Sequence, residues 1–455
     1  MSLKKTLEKY SKSNMYPFHM PGHKRQLDGV SKIDMTEVEG VDDLHDASGV
    51  IAEDQKRMAK LFGADESRIL VGGSTVGNLA SVYASCNEGD SVIIQRNSHK
   101  SVYNAVMLRH LKCDYIEPDV SYNGIFKAVT LEQVKSAVEK GQAVPKAVII
   151  TSPTYEGFHA PVKEIAEYCH DKGIILIVDQ AHGAHLGFNQ EFKGSAVGLA
   201  DITIQSLHKT LPSLTQTAAM HISGDRVDLN RVAEALDIFE TSSPSYVLMN
   251  SISNCLDILE NCGELFSEYV DNLQDFYSIS GELKNLQLIT DETDKKDPGK
   301  LIISTKNTNI TGVELAKILR EKYELETELS SFAYVLAMTS IMDTKEGFDR
   351  LKTALKEIDD ALTAGHIDVT NLKLNYKKVM ETFQAKAGGE KEVPLAHAEG
   401  KVSAAMVCLY PPGAPLIVPG EEISKEAIKV IHEAKAKGLH VTGMDVERES
   451  VSVVN

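Results

Sequence analysis

The sequence predicts an α/β protein, with a mostly parallel seven-stranded sheet covered by helices and a smaller C-terminal α/β domain behind it. Three observations predict this. From about residue 48, short apolar runs alternate with helix-period stretches, the pattern of a parallel sheet with helices on both faces. Seven such runs occur before residue 225. A second strand–helix–strand–helix set begins beyond residue 280. At 455 residues the chain is too long for one small core, and 42% hydrophobic with 25% charged residues is an ordinary globular composition.

The elements follow in order. The first 45 residues contain PFHMPGHKR (17–25) and TEVEGVDDLHD (36–46), with Gly and Pro punctuation and few periodic apolar positions, so an irregular arm is expected. Ser48 is placed to cap a helix over 52–61. The strand candidates are RILV (68–71), SVIIQ (91–95), CDYIE (113–117), AVIIT (147–151), IILIVD (174–179), DITIQS (201–206) and TAAMHIS (217–223). Helices are expected from Thr75, from His99, over 131–140 and over 162–173, with two longer ones over 225–240 and 245–275. The second set is strand 301–306, helix 311–323, strand 331–340 and helix 345–362. Residues 376–394 are polar and charged and are expected to be mobile; 401–422 is a Pro- and Gly-rich turn region, followed by a helix over 424–437. The expected division is an arm (1–45), a large domain (46–275) and a small domain (276–455).

The net charge is −17, which argues against a nucleic-acid partner, since such binding depends on neutralising phosphates, and is compatible with a small cationic ligand. The six cysteines form no CxxC pair and suggest neither a disulfide framework nor a zinc site. The N-terminal MSLKKTLEKYSKSN has no apolar signal core, and no apolar run reaches the roughly 18 to 20 residues of a membrane span. A cytoplasmic protein with no membrane partner is the expectation.

Ligands of open α/β sheets sit at the carboxyl ends of the strands, so the residues there carry the functional argument. Gly72-Gly73-Ser74-Thr75-Val76-Gly77-Asn78 runs from a strand into a helix. It offers hydroxyls, close backbone approach and a helix N-terminus for a phosphate, although it equally fits an ordinary helix start and lacks the lysine of a P-loop. His99, at the next helix start, is either a surface residue or a ring for stacking on a flat cofactor. Asp179 ends an apolar strand, where a carboxylate can keep a ring nitrogen protonated. His182 and His185 have a spacing that invites a metal, but no third ligand or HExxH pattern accompanies them, and no metal is expected. Lys209 follows a buried strand directly, as Schiff-base chemistry needs, with Ser206 and His208 beside it in reach of a phosphate. A lysine, a strand-end aspartate, a stacking ring and a phosphate cradle are the parts of a pyridoxal 5'-phosphate (PLP) site.

These stretches resemble the Orn/Lys/Arg decarboxylase family of fold-type I PLP enzymes, in its small bacterial form without the N-terminal wing domain. The resemblance is carried by PFHMPGHKR (17–25), TEVEGVDDLH (36–45), GSTVGN (73–78), NSHKSVYNA (97–105), SPTYEGF (152–158), VDQAHGAHLGF (178–188), SLHKTLPSLTQTA (206–218), TSSPSY (241–246) and LYPPGAPLIVPGE (409–421). It implies the PLP-dependent transferase (aspartate aminotransferase-like) fold and decarboxylation of arginine, lysine or ornithine. It implies Lys209 as the Schiff-base lysine, Asp179 on the pyridine nitrogen, and His99 and Ala181 on the two ring faces. Ser74, Thr75, Ser206 and His208 would bind the phosphate, and His182 joins the cofactor set. Ser242 or Ser243 would reach the neighbouring subunit's phosphate, making a homodimer with shared sites. The substrate's distal cation needs a carboxylate, for which Asp42, Asp43 and Glu421 are candidates. The sequence departs from the family pattern at Gln180, Lys401, Ala405 and Ala414, where Glu, Arg, Glu and Ile are usual. An aminotransferase or another fold-type I activity, and an inactive PLP-binding paralogue, are the alternatives.

Overall fold

The computed structural model describes residues 2–13, 20, 21, 23, 24, 26, 29–141, 143–290, 296–369, 374–410 and 414–455. Parts of the PFHMPGHKR stretch, and Pro411, Pro412 and Gly413 of the later Pro-Gly stretch, lie outside them.

The chain runs α1 (Leu3–Ser11), α2 (Val50–Phe62), β1 (Glu66–Leu70), α3 (Gly73–Ser85), β2 (Ser91–Gln95), α4 (Lys100–Leu108), β3 (Lys112–Ile116), α5 (Leu131–Lys140), β4 (Ala147–Thr151) and α6 (Val162–Asp171). It continues through β5 (Ile175–Asp179), β6 (Ile202–Ser206), the single turn α7 (Leu207–Thr210), β7 (Ala218–Ile222), α8 (Leu229–Phe239), α9 (Tyr246–Leu259) and α10 (Gly263–Tyr277). The remainder is β8 (Gln287–Leu288), β9 (Lys300–Ser304), α11 (Gly312–Tyr323), β10 (Leu329–Ser330), β11 (Tyr334–Met338), α12 (Lys345–Ala361), α13 (Thr382–Ala387), β12 (Glu390–Pro394), β13 (Val407–Tyr410), β14 (Ala414–Ile417), α14 (Lys425–Ala436), β15 (His440–Thr442) and β16 (Ser450–Val454).

Strands β1 to β7 form the expected sheet, in the order β1-β7-β6-β5-β4-β2-β3. The β2–β3, β4–β5 and β5–β6 pairs are parallel, and β7 is antiparallel to both β1 and β6. In the parallel β4–β5 ladder Thr151 lies opposite Asp179, which places the catalytic candidate at the end of its strand. All five residues of β5, β6 and β7 are buried, so these strands appear in the sequence as unbroken apolar runs.

Two compact units divide the chain. The first comprises Met1–Asn87, Lys146–Ser152 and Val162–Phe266. Within it α3 lies close on the sheet: a Cβ on Gly77 would come within 2.6 Å of the Ile204 side chain and 2.9 Å of Leu70. The second comprises Glu88–Pro145, Pro153–Pro161 and Ser267–Asn455. Its core holds Leu395, Val407, Ile417, Ile423, Ile431 and Val453, beside the sheet β10-β11-β9-β8.

Four expectations are corrected. The first 45 residues are not wholly irregular, because α1 buries Leu3 and Leu7, one turn apart, and packs on α9. Residues 376–394 are not structureless. Lys378 bridges to Glu421, α13 follows, and β12 pairs with β16 from Glu390 to Pro394. The Pro-Gly region contains the antiparallel strand pair β13–β14. The helix expected over 245–275 is two helices, α9 and α10, because the chain breaks around Asn261 and Cys262.

Candidate active site

Asp179, Ser206, Lys209 and Ser74 lie at or just beyond strand ends in the first unit. Asp179 closes β5 with 3% of its surface exposed. Its Oδ2 accepts a hydrogen bond from Asn78 Nδ2 at 2.9 Å, and its Oδ1 accepts from the Ala181 backbone N–H at 3.1 Å. Each oxygen of this buried carboxylate is thus held by a neutral donor. Asn78 had not been singled out from the sequence, although its spacing of four residues from Ser74 on a helix was visible there.

Ser74 opens the other half of the site. Its hydroxyl lies 2.6 Å from that of Ser206, which ends β6. Gly73 has φ +73, a conformation that glycine adopts without strain, and α3 begins with no side-chain cap. Thr75 is exposed in the same turn. Ser74 and Asn78 therefore lie one turn, about 6 Å, apart on α3, one meeting Ser206 and the other meeting Asp179.

Lys209 sits in α7 directly after β6, half-buried, with its Nζ 2.9 Å from His182 Nε2. Next to it, His208 Nδ1 bonds to the Thr217 carbonyl oxygen at 2.8 Å. Burial lowers the His208 pKa and the neighbouring Lys209 charge adds to this, so the ring is held neutral. Ala181 is buried beside Asp179, and Ser242 and Ser243 lie exposed in the loop before α9.

Of the three carboxylates expected for a substrate cation, Asp42 and Glu421 have other duties. Asp42 accepts from the backbone N–H groups of Ser48, Gly49, Ile51 and Ala52, at 2.8 to 3.4 Å, and so caps α2 in the role expected of Ser48. Asp43 Oδ1 accepts from the His45 N–H at 2.9 Å. Glu421, in the second unit, is 2% exposed and paired to Arg96 at 2.8 Å. His99 also belongs to the second unit, where its Nδ1 bonds the Ser101 hydroxyl at 2.8 Å and caps α4.

The donor set suits PLP. Paired hydroxyls beside an uncapped helix start fit a phosphate, a buried carboxylate fits a protonated ring nitrogen, and a half-buried amine fits an aldehyde. Among the described residues no group of three or more His, Cys, Asp or Glu is placed to hold a metal ion.

Comparison with known proteins bears on this arrangement. Residues 2–290 match the model of the Orn/Lys/Arg decarboxylase major domain, and residues 366–451 match that of the family's C-terminal domain. A Bacillus subtilis protein named YaaO is 34% identical, over 97% of this chain and 95% of its own length. An arginine decarboxylase of the same organism is 32% identical, over 96% and 94%. The lysine decarboxylase LdcF of Francisella novicida superposes with a TM-score of 0.86 at 20% identity, covering 100% of this chain and 81% of that one. With matched segments from residue 2 to residue 451 and a fold shared along the whole chain, the protein belongs to the Orn/Lys/Arg decarboxylase family of fold-type I, PLP-dependent enzymes.

Proposed function

We propose that the protein decarboxylates a basic amino acid with PLP carried on Lys209. The observation that carries the reading is the grouping of Lys209, Asp179 and the Ser74–Ser206 hydroxyl pair at adjoining strand ends of one unit. When bound, PLP supplies an electron sink for the pair released as the carboxylate leaves. Asp179 holds the proton on the ring nitrogen, with Asn78 and the Ala181 N–H fixing the carboxylate. Ser74, Thr75, Ser206 and His208 would bind the phosphate, and Ala181 would pack on one ring face; His99, the candidate for the other face, belongs to the second unit. Lys209 delivers the proton to Cα; His208, kept neutral by burial, is the poorer donor.

The substrate is arginine, lysine or ornithine, and arginine or lysine is favoured. Of the three carboxylates proposed for its distal cation, Asp43 is preferred, because Asp42 is taken up by α2 and Glu421 by Arg96. The amine product belongs to polyamine metabolism. Exposed Ser242 and Ser243 reach a neighbouring subunit's phosphate in a homodimer with shared sites. In this reading 46–275 is the PLP-binding domain, preceded by an arm and followed by a small domain over 276–455. Six buried cysteines without a disulfide framework in their spacing support a reducing, cytoplasmic setting.

Borohydride reduction of the PLP-loaded protein, followed by peptide mapping, tests the attachment. The added mass should fall on the peptide containing Lys209. A label on another lysine would contradict the reading.

A further inference from the structure

We propose that Gln180 is a positioning residue for Asp179, anchored by a one-way relay of hydrogen bonds from Ser67 through His221 and Gln205, and that an uncharged amide is required at this place. The inference rests on the reading of Asp179 as the carboxylate that faces the cofactor's ring nitrogen.

All four relay residues are buried, with exposures of 1% for Ser67 and His221 and 0% for Gln205 and Gln180. Their partners fix the direction of each bond. The nitrogen of the Gln180 side chain faces two carbonyl oxygens, Ser152 O and Gly194 O, each at 3.0 Å. Its oxygen accepts from the Ala196 N–H at 3.1 Å and from Gln205 Nε2 at 2.9 Å. Both donors and both acceptor sites of the amide are thus satisfied. Gln205 must then turn its oxygen to His221 Nε2, at 3.1 Å, so that this nitrogen carries the hydrogen. The bare Nδ1 accepts from the Ser67 hydroxyl at 2.8 Å. Burial pulls the His221 pKa down to about 3, so the ring is neutral and the relay carries no charge.

The relay follows the order of the strands, from β1 through β7 and β6 to the turn after β5. At that turn the backbone is also tied. The Ser152 N–H donates to Asp179 O at 3.1 Å, Gln180 N–H to Ile204 O at 2.8 Å, and Gly183 N–H to Gln180 O at 2.9 Å. The side-chain amide therefore locks the turn that carries Asp179, just as Asn78 locks its carboxylate. A carboxylate at 180 would set oxygens against two carbonyls at a fully buried position. The turn would have to shift, and Asp179 with it.

The test is PLP titration of the full-length protein as wild type, Gln180→Glu and Ser67→Ala, with the absorbance band of the bound cofactor and the kcat and KM of the turned-over amino acid. Gln180→Glu should weaken PLP binding by about tenfold, the effect of an unsatisfied buried polar group. It should move the band in the same direction as Asp179→Asn and lower kcat more than it changes KM. Ser67→Ala should act in the same direction by about two- to threefold, the effect of one weak neutral bond. As a control, Ile177→Ala, on β5 but outside the relay, should lower the melting temperature without moving the band. Wild-type affinity and an unmoved band in both Gln180→Glu and Ser67→Ala would overturn the proposal. If Gln180→Glu does not fold, Ser67→Ala decides alone, and wild-type behaviour there overturns it. Failure of the underlying reading looks different, since wild type itself would then take up no PLP on Lys209.

Discussion

Asn78 Nδ2 and Asp179 Oδ2 are hydrogen-bonded at 2.9 Å, which ties helix α3 to the end of β5. Without this donor one oxygen of a buried carboxylate would face no side-chain N–H. Asn78→Ala should weaken PLP binding by about tenfold, in line with the roughly 1 to 3 kcal/mol of an unsatisfied buried group. Asn78→Asp should be worse, because it sets a second carboxylate against the first. Fluorescence titration of the apoprotein with PLP measures both.

Asp42 is a structural carboxylate. Asp42→Ala should destabilise the protein by about 1 to 2 kcal/mol, the usual cost of a lost helix cap, read as a lower melting temperature. Its pH dependence has a definite sign. Burial works against the charge, but the N–H bonds from Ser48, Ile51 and Gly49 outweigh it and hold the pKa below its ordinary 3.8. A depressed folded pKa gives stability that is present above 3.8 and is lost as the pH falls toward the folded value. The difference in melting temperature between wild type and Asp42→Asn should therefore shrink below about pH 4.

Arg96 and Glu421 form a buried pair in the second unit, with the Arg96 guanidinium 4.4 Å from the centre of the Tyr376 ring and bonded to the Pro415 carbonyl oxygen at 3.1 Å. Removing one partner leaves a buried charge. Arg96→Leu should cost about 3 to 5 kcal/mol, and the double variant with Glu421→Leu should recover part of the loss. Chemical denaturation of wild type, both single variants and the double variant checks this, and full additivity of the single effects would contradict it.

All six cysteines are buried. Burial pushes the thiol pKa of Cys169 and Cys255 up to about 12 and that of Cys408 to about 11. A thiol-specific disulfide reagent should therefore label none of them quickly in the native protein and all six after denaturation. Rapid labelling of a native thiol would show a site more open than the one described.

The sheet was legible because its central strands are buried on both faces. SVIIQ (91–95) and AVIIT (147–151) coincide with β2 and β4 to the residue. What escaped had mixed faces. In β12, Glu390-Lys391-Glu392-Val393-Pro394, only Val393 is buried, so the strand looks like a charged loop until β16 is placed beside it. Helix α1 escaped because lysines and polar residues surround its two buried leucines. At the site, Lys209, Asp179, Ser74 and Ser206 were visible because each follows or ends an apolar run. The cap formed by Asp42 was not, since it depends on a positive φ of 77 at a non-glycine residue and on backbone groups six to ten residues away. The Gln180 relay joins four separate strand regions and appears only in three dimensions.

The most direct test of the central claim is release of carbon dioxide and amine from the purified, PLP-loaded protein. Arginine, lysine and ornithine would be supplied separately, with Lys209→Ala as control. Turnover of one of them, abolished in Lys209→Ala, is the predicted result and names the substrate. A wild-type protein that binds PLP on Lys209 yet releases nothing from any of the three would contradict the claim.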